Sequence, residues 1–381
     1  MRVLFITHEM RRNGAPIALL QELSFIKENC PDINVELLAL NDGELKKDFS
    51  RICKVIKGWN VFLNFLNVIL HKLNICGPLY VYRFMFLKNK YDCVYANTVL
   101  SLEAGAFIKE KLKIPLILHV HEAECLMHLF KINSFLISSV DSFITVSNFS
   151  AHNLVNNYGV PLKKIEIHPP ISFWLDQFQK GEVKIIPFNY DGTVFLVGCF
   201  VDGDWFKSIE LVPVLMKKVS LKYPDFNCKL ALIGLINEEV KWRINYELKK
   251  IGCADKVVWL DLVKSPLNYH SRFDALLLLS REESFSLVAQ EAAIMAKPIV
   301  GFHDTIGVEE WFGQNGGIWV PFLDFDAVAD SLYELWRDVN LRTSLGAMAK
   351  KVALDMYNES KNMLIPVSAI RKYSRRRNFE M

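Results

Sequence analysis

Residues 3–7 read VLFIT, and the same kind of short apolar run returns at 34–39, 93–96, 115–120 and 142–146. Each run is shorter than a helix needs and rich in aliphatic and β-branched side chains, so each is expected to be a strand. Longer stretches with helical spacing separate them. The first of these, 17–26, follows Asn13-Gly14 and carries Pro16 where a helix begins. A second series opens at 193–198 (TVFLVG) and continues at 229–234, 256–260, 275–279 and 298–301, with helix-like stretches at 209–221, 238–251 and up to 295. After residue 320 the pattern is mostly helical. Strands alternating with helices indicate βαβ units and parallel sheets.

Turn-forming residues gather between the two series: Pro169, Pro170, Gly181, Pro187 and Gly192. The expected layout is α/β, with two Rossmann-like domains. The first spans 1–175 and the second 190–345. A helical segment with a basic tail, 346–381, is expected to pack back toward the first domain. Two such domains in tandem leave a cleft at the carboxyl ends of their sheets, where ligands bind in folds of this kind.

Composition removes several function classes. A chain of 381 residues, 51% hydrophobic and 23% charged, buries a large core without disulfides and is not disordered. A net charge of +3 is too even for a dedicated nucleic-acid binder. The eight cysteines form no CxxC pair, which argues against a zinc ribbon or a thioredoxin motif and fits a reduced, cytoplasmic setting. The first residues do not read as a signal peptide, and the most apolar stretch is interrupted and too short to span a membrane.

The even total hides an uneven distribution. Residues 1–180 hold 20 basic and 16 acidic side chains, and 181–370 hold 20 and 25. Residues 51–90 hold seven Lys or Arg and no acid. On a helix, Phe62, Phe65, Leu66, Ile69 and Leu73 would share one face, with Trp59 near its end. Such a stripe fits either contact with an anionic membrane, on the inner face, or an ordinary core-facing helix.

The richest chemistry lies in the string 280–292, SREESFSLVAQEA. It follows a buried-looking strand and opens a helix. Backbone amides near Phe285, Ser286 and Leu287 then form a helix N-terminus, which suits an anion such as a diphosphate. Glu283 in the loop and Glu291 within the helix, seven residues between them, suit hydroxyls of a ribose or a sugar.

With its continuation to KPIV at 297–300, this string resembles the signature of the retaining glycosyltransferases of the GT-B fold, family 4. The resemblance extends along the chain. Asn13-Gly14-Ala15-Pro16 is similar to the family's glycine loop, and it implies that Gly14 and Ala15 approach the donor phosphates. His121, in HVHE at 119–122, matches a histidine that faces the sugar. Gly198 and the segment Trp205-Phe206-Lys207 resemble a strand and loop whose lysine contacts the diphosphate. The resemblance implies transfer of a sugar from a nucleotide-sugar to a glycan or lipid-linked acceptor in polysaccharide or cell-surface glycan synthesis, with retained configuration and no metal. His121, Glu283 and Lys207 would be the catalytic set. Gly14, Ala15, Gly198, Arg281, Ser284, Phe285, Ser286, Leu287 and Glu291 would hold the donor, and backbone near Trp259 and Leu260 would frame the base.

The chain also departs from the pattern, with Cys199 for a frequent arginine and Ser208 for a glycine. The arginine's loss leaves a non-catalytic nucleotide-sugar-binding homologue as the alternative. A GT-B nucleotide-sugar epimerase is a third reading. His119 and His121 share a strand face near Glu122 and His128, a weak hint of metal. Asp202-Gly203-Asp204 resembles a metal-binding DxD and is read as a turn.

Overall fold

The computed structural model describes residues 1–57, 91–186, 192–261, 265–313, 315–358 and 364–376. Its chain divides into two compact units, one built from Met1–Pro170 with the C-terminal helix, the other from residue 171 through the helix that precedes it. The whole of 58–90, with the expected face of Phe62, Phe65, Leu66, Ile69 and Leu73, lies outside the described residues. The described residues of the acid-free run, Arg51, Lys54 and Lys57, sit 3.3, 3.8 and 4.0 Å from Asp48, Glu36 and Asp42. Its charge is therefore locally compensated there. Among the described residues no helix is long and apolar enough to cross a membrane.

The first unit holds seven parallel strands in the order β3-β2-β1-β4-β5-β6-β7. They are β1 (Arg2–Thr7), β2 (Asn34–Ala39), β3 (Lys54–Lys57), β4 (Cys93–Asn97), β5 (Leu116–Val120), β6 (Ser142–Thr145) and β7 (Ile165–Ile167). Successive side chains feed opposite faces, as pleating requires. Val3 and Phe5 pack with Leu19, Leu23 and Ile370 on one side. Leu4 and Ile6 pack with Leu102, Ile108 and Leu118 on the other. The helix Gly14–Asn29 and the C-terminal helix Leu364–Arg376 supply the first layer, and Leu102–Leu112 helps supply the second.

The second unit repeats the plan with six strands, β10-β9-β8-β11-β12-β13. They are β8 (Phe195–Phe200), β9 (Cys228–Ile233), β10 (Val257–Leu260), β11 (Ala275–Leu278), β12 (Ile299–Phe302) and β13 (Gly317–Val320). The helices Val212–Lys222 and Phe325–Arg337 lie on one face, sharing a core with Val197, Cys199, Leu230 and Leu277.

Three strands, β3, β7 and β13, escaped the periodicity reading. They are sheet members of three or four residues, all three at edges, and two of them carry charged side chains. The expected boundary at 346 falls inside the helix Val339–Asn358, which packs within the second unit, on the helix Leu287–Ile294. Only the last helix, Leu364–Arg376, joins the first unit, where Tyr373 Oη donates to the Asp141 carbonyl at 3.0 Å.

Gly198, expected at the donor, has a packing reason for being glycine. A Cβ at this buried strand position would lie 2.2 Å from the Phe273 ring. Gly198→Ala should destabilise the second unit by about 1–3 kcal/mol through overpacking, read as a lowered Tm. An unchanged Tm would show that Phe273 moves aside freely. Cys199 faces the opposite side, into the core, and burial pushes its thiol up to about 12. An arginine in this register would enter the core.

Candidate active site

Both sheets have a point where the strand order reverses, between β1 and β4 and between β8 and β11. At such a point the loops leaving two neighbouring strands diverge to opposite faces and open a crevice at their carboxyl ends. The expected site residues collect at these two places.

In the second unit, the loop after β8 carries Lys207 and the loop after β11 carries Glu283. Lys207 ends a single 3-10 turn, Trp205–Lys207, with Ser208 in the left-handed region at φ 52°. Its Nζ lies 2.8 Å from Glu283 Oε2. Ser280 Oγ donates to the same oxygen at 3.0 Å, so Oε1 carries neither contact. The Glu283 backbone is clamped to the loop after β12: its amide donates to the Thr305 carbonyl and its carbonyl accepts from the Gly307 amide, both at 2.9 Å. Asp204 N donates to Asp202 Oδ1 at 3.0 Å, which makes Asp202–Asp204 a side-chain-stapled turn.

Arg281 is largely occupied. Its Nη1 is 2.6 Å from both the Trp205 carbonyl and Glu210 Oε1, and its guanidinium lies 4.6 Å over the Trp205 ring. These contacts tie down the turn that bears Lys207.

The helix Leu287–Ile294 starts at Ser286, whose backbone is extended and whose side chain makes no capping bond. First-turn amides of a helix have no partner within it. Ser284 and Ser286 are buried, and Phe285 meets Trp311 edge-on at 5.2 Å. Glu291 is buried, and its Oε1 accepts from Ser172 Oγ at 2.6 Å. Beside it Gln290 Oε1 accepts the Ser172 amide at 2.7 Å, so this pair anchors the start of the helix Phe173–Gln179. Burial pushes the Glu291 carboxyl up to about 7, against the Ser172 bond that lowers it. An open cavity of about 420 Å³ lies at the ends of β9 and β10, lined by Gly234, Asn237, Lys241, Trp259, Leu260 and Asp261.

In the first unit, β1 leads to His8 and Glu9, and β4 to Asn97 and Thr98. Gly14 opens the first helix. A Cβ there would meet nothing within 4 Å, and the backbone is not left-handed, so neither packing nor a tight turn requires glycine. Asn97 joins two expected residues: its Nδ2 donates to the Ala15 carbonyl at 3.2 Å, and its Oδ1 lies 2.8 Å from His121 Nε2. With the amide oriented this way, Nε2 carries the proton and Nδ1 is left as an acceptor. Thr98 holds φ 85°, a strained value for a β-branched residue, while its hydroxyl meets His8 Nδ1 at 3.0 Å. Burial, with His119, His168 and His8 nearby, holds His121 well below the usual histidine range. Glu122 accepts the amides of Val99 and His121 at 3.2 and 3.0 Å, yet burial pushes its carboxyl up to about 7.

Sequence reasoning missed Asn97, Thr98 and Ser172, since single polar residues at strand ends carry no spacing signal. Among the described residues, His303, Asp304 and Glu309 bring ligand atoms close enough for one metal ion. They also satisfy one another: His303 contacts Glu309, His303 Nε2 lies 3.3 Å from Asp304, and the Asp304 amide donates to Glu309 at 2.8 Å. His119 and His121 stack on each other at 4.1 Å.

Two family models match the chain: glycosyl transferases group 1 over residues 193–338 and glycosyltransferase family 4 over residues 32–171. The D-inositol 3-phosphate glycosyltransferase of Paenarthrobacter aurescens (strain TC1) is 21% identical over 290 residues, 70% of this chain and 69% of the relative. Anabaena HepE in complex with UDP is similar in fold, with a TM-score of 0.75, 16% identity and coverage of 97% of this chain and 100% of that one. The same protein with UDP-glucose gives 0.74, with 16% identity over 97% and 100%. Sucrose-phosphate synthase from Thermosynechococcus elongatus gives 0.73, with 15% identity over 97% and 98%.

Proposed function

The chain belongs to the group 1, family 4 type of GT-B glycosyltransferases, and from that premise we propose that it is a retaining enzyme moving a sugar from a nucleotide-sugar to a glycan or lipid-linked acceptor. The observation that carries the reading is the Lys207–Glu283 pair at the reversal of the second sheet, beside the start of the Leu287–Ile294 helix. A cation and free amides there suit a leaving diphosphate, and a carboxylate suits sugar hydroxyls.

In this proposal the bond from the anomeric carbon to the diphosphate oxygen breaks and a bond to the acceptor oxygen forms on the same face. The acceptor's proton passes to the departing phosphate oxygen. Negative charge grows on the diphosphate, and Lys207 with the amides at the helix start meets it where it develops, so no step calls on a metal. Glu283 orients the donor sugar. Its Oε2 already holds Lys207 and Ser280, which blunts it as a nucleophile. His121 is uncharged and offers Nδ1 to a sugar hydroxyl. The cavity at Trp259 and Leu260 takes the base, and Glu291 the ribose.

Thermal shift with UDP, GDP, ADP and their sugars tests donor binding, since a ligand of the folded state raises Tm. UDP compounds head the panel because the HepE structures hold UDP and UDP-glucose. Acceptor-dependent release of nucleoside diphosphate is the expected companion result. A shift without release would favour a nucleotide-sugar-binding homologue that does not turn over. No shift with any compound would overturn the donor site.

A further inference from the structure

The loop after β12 grips Glu283 through its backbone. The Glu283 amide donates to the Thr305 carbonyl and the Gly307 amide donates to the Glu283 carbonyl, both at 2.9 Å. The two bonds form an isolated parallel bridge between Glu283 and Ile306. With the peptide groups on both sides of one residue held, the direction of its side chain follows from where Thr305 and Gly307 stand. The carboxylate itself is gripped separately, at Oε2, by Lys207 and Ser280.

The two ends of this loop are held in different ways. At the far end Ile306 and Val308 are buried and pack with Leu276, Leu278 and Phe312. The leading end is polar and open: the side chains of His303 and Asp304 are 60 and 86% exposed. Asp304 turns the chain there at φ 56°, in the left-handed region. Glu309, the first residue of the short helix Glu309–Phe312, reaches back over this turn. Its Oε1 meets His303 Nδ1, and its Oε2 accepts the Asp304 amide at 2.8 Å. A hydrogen bond to an ionised acceptor is about twice as strong as a neutral one. The Glu309 amide in turn donates to the Ile306 carbonyl at 3.1 Å. One carboxylate therefore closes the loop from its apolar end to its exposed end, and Thr305 lies inside the closure.

We propose that Glu309 is a positioning residue for the transfer reaction: its carboxylate fixes the turn at 303–305, and through the Thr305 carbonyl and the Gly307 amide it sets the aim of Glu283 at the donor sugar. Glu309 touches none of the reacting groups. It acts by removing freedom from the backbone that carries one of them. The inference rests on the sugar-orienting role given to Glu283 above, but its first test does not depend on turnover.

The test is hydrogen exchange of the ligand-free full chain, read at the amides of Glu283 and Gly307. In Glu309→Ala both should exchange about tenfold faster than in the wild type, while the amides of β12 keep their rates. Glu309→Gln keeps an oxygen for the Asp304 amide and should restore most of the protection. Should Glu309→Ala not fold, Glu309→Asp carries the same measurement, since its shorter side chain cannot span both contacts. Kinetics and binding then separate positioning from general damage. The probes are UDP and UDP-glucose, or the GDP or ADP pair where thermal shift selects that one. In Glu309→Ala kcat should fall about tenfold, with Kd for the free diphosphate changed by less than about threefold and kcat recovered in Glu309→Gln. Unchanged exchange at Glu283 in a folded variant overturns the proposal. Faster exchange with an unchanged kcat also overturns it, as does an equal loss of kcat and of diphosphate affinity. A wild type that turns over no donor, with the expected exchange, would count against the glycosyltransferase reading while leaving the Glu309–Thr305–Glu283 link in place.

Discussion

Lys207→Ala is expected to lower the rate of sugar transfer by about 10²–10³-fold, the loss seen when one preorganised group facing developing charge is removed. The reason is positional. The Lys207 turn is braced by Arg281, which holds the Trp205 carbonyl and ring, and Lys207 stands 2.8 Å from Glu283 across the sheet reversal. A positioned ammonium needs no reorganisation as the diphosphate departs. Its charge is balanced by Glu283 before substrate arrives, so truncation leaves a partly exposed carboxylate and little structural damage. Tm should therefore fall by no more than a few degrees. The informative measurements are kcat and kcat/KM for nucleoside diphosphate release, alongside circular dichroism of the variant. A folded Lys207→Ala enzyme within tenfold of wild type would remove Lys207 from the chemistry and leave the helix amides to carry it.

Glu291→Gln should stabilise the protein at alkaline pH while weakening nucleotide binding. The carboxyl has an ordinary value near 4.5 and is pushed to about 7 in the folded chain. Across that gap the folded state holds a proton that the unfolded state has lost, so stability declines as pH rises from about 4.5 to about 7 and stays lower above it. At about 1.4 kcal/mol per pH unit, the charged form is disfavoured by about 3 kcal/mol. Glutamine keeps an oxygen for Ser172 and carries no charge to bury. The variant should thus melt several degrees above wild type at pH 8 and match it near pH 4. Glu122, also pushed to about 7, imposes a parallel slope on both proteins, which cancels in the difference. If Glu291 holds ribose hydroxyls, loss of the charge should weaken nucleoside diphosphate binding about tenfold. Gain of stability without loss of affinity would assign Glu291 to anchoring Ser172 alone.

The partners of other expected residues became visible only in the fold. Arg281, Ser284 and Ser286 were expected to face a donor; in the fold Arg281 contacts Trp205 and Glu210, and the two serines are buried. A charged or hydroxylic residue inside a signature reads the same whether its atoms meet a ligand or a neighbouring loop. Gly198 reads as a phosphate glycine until Phe273 is placed against it. His119 and His121 are two residues apart in the string and share a strand face, which is legible. That one touches Glu22 and the other Asn97 is not, because those partners arrive from other elements.

What the sequence determined by itself was local and periodic. Apolar runs of four to six residues between helical stretches specified two parallel α/β units. The string holding both glutamates marked a loop after a strand and the start of a helix. These properties depend on neighbours within a few turns of chain, so they survive in a one-dimensional string. Tertiary structure alone decided which loops meet. The reversal of strand order brings residues 207 and 283 together, and the first helix carries Glu22 to histidines 97 and 146 positions further on. Burial then acts on those pairings, lifting Glu291 and holding His121 uncharged. Charge states of this kind are set by desolvation and by groups distant in the chain, which no spacing of residues records.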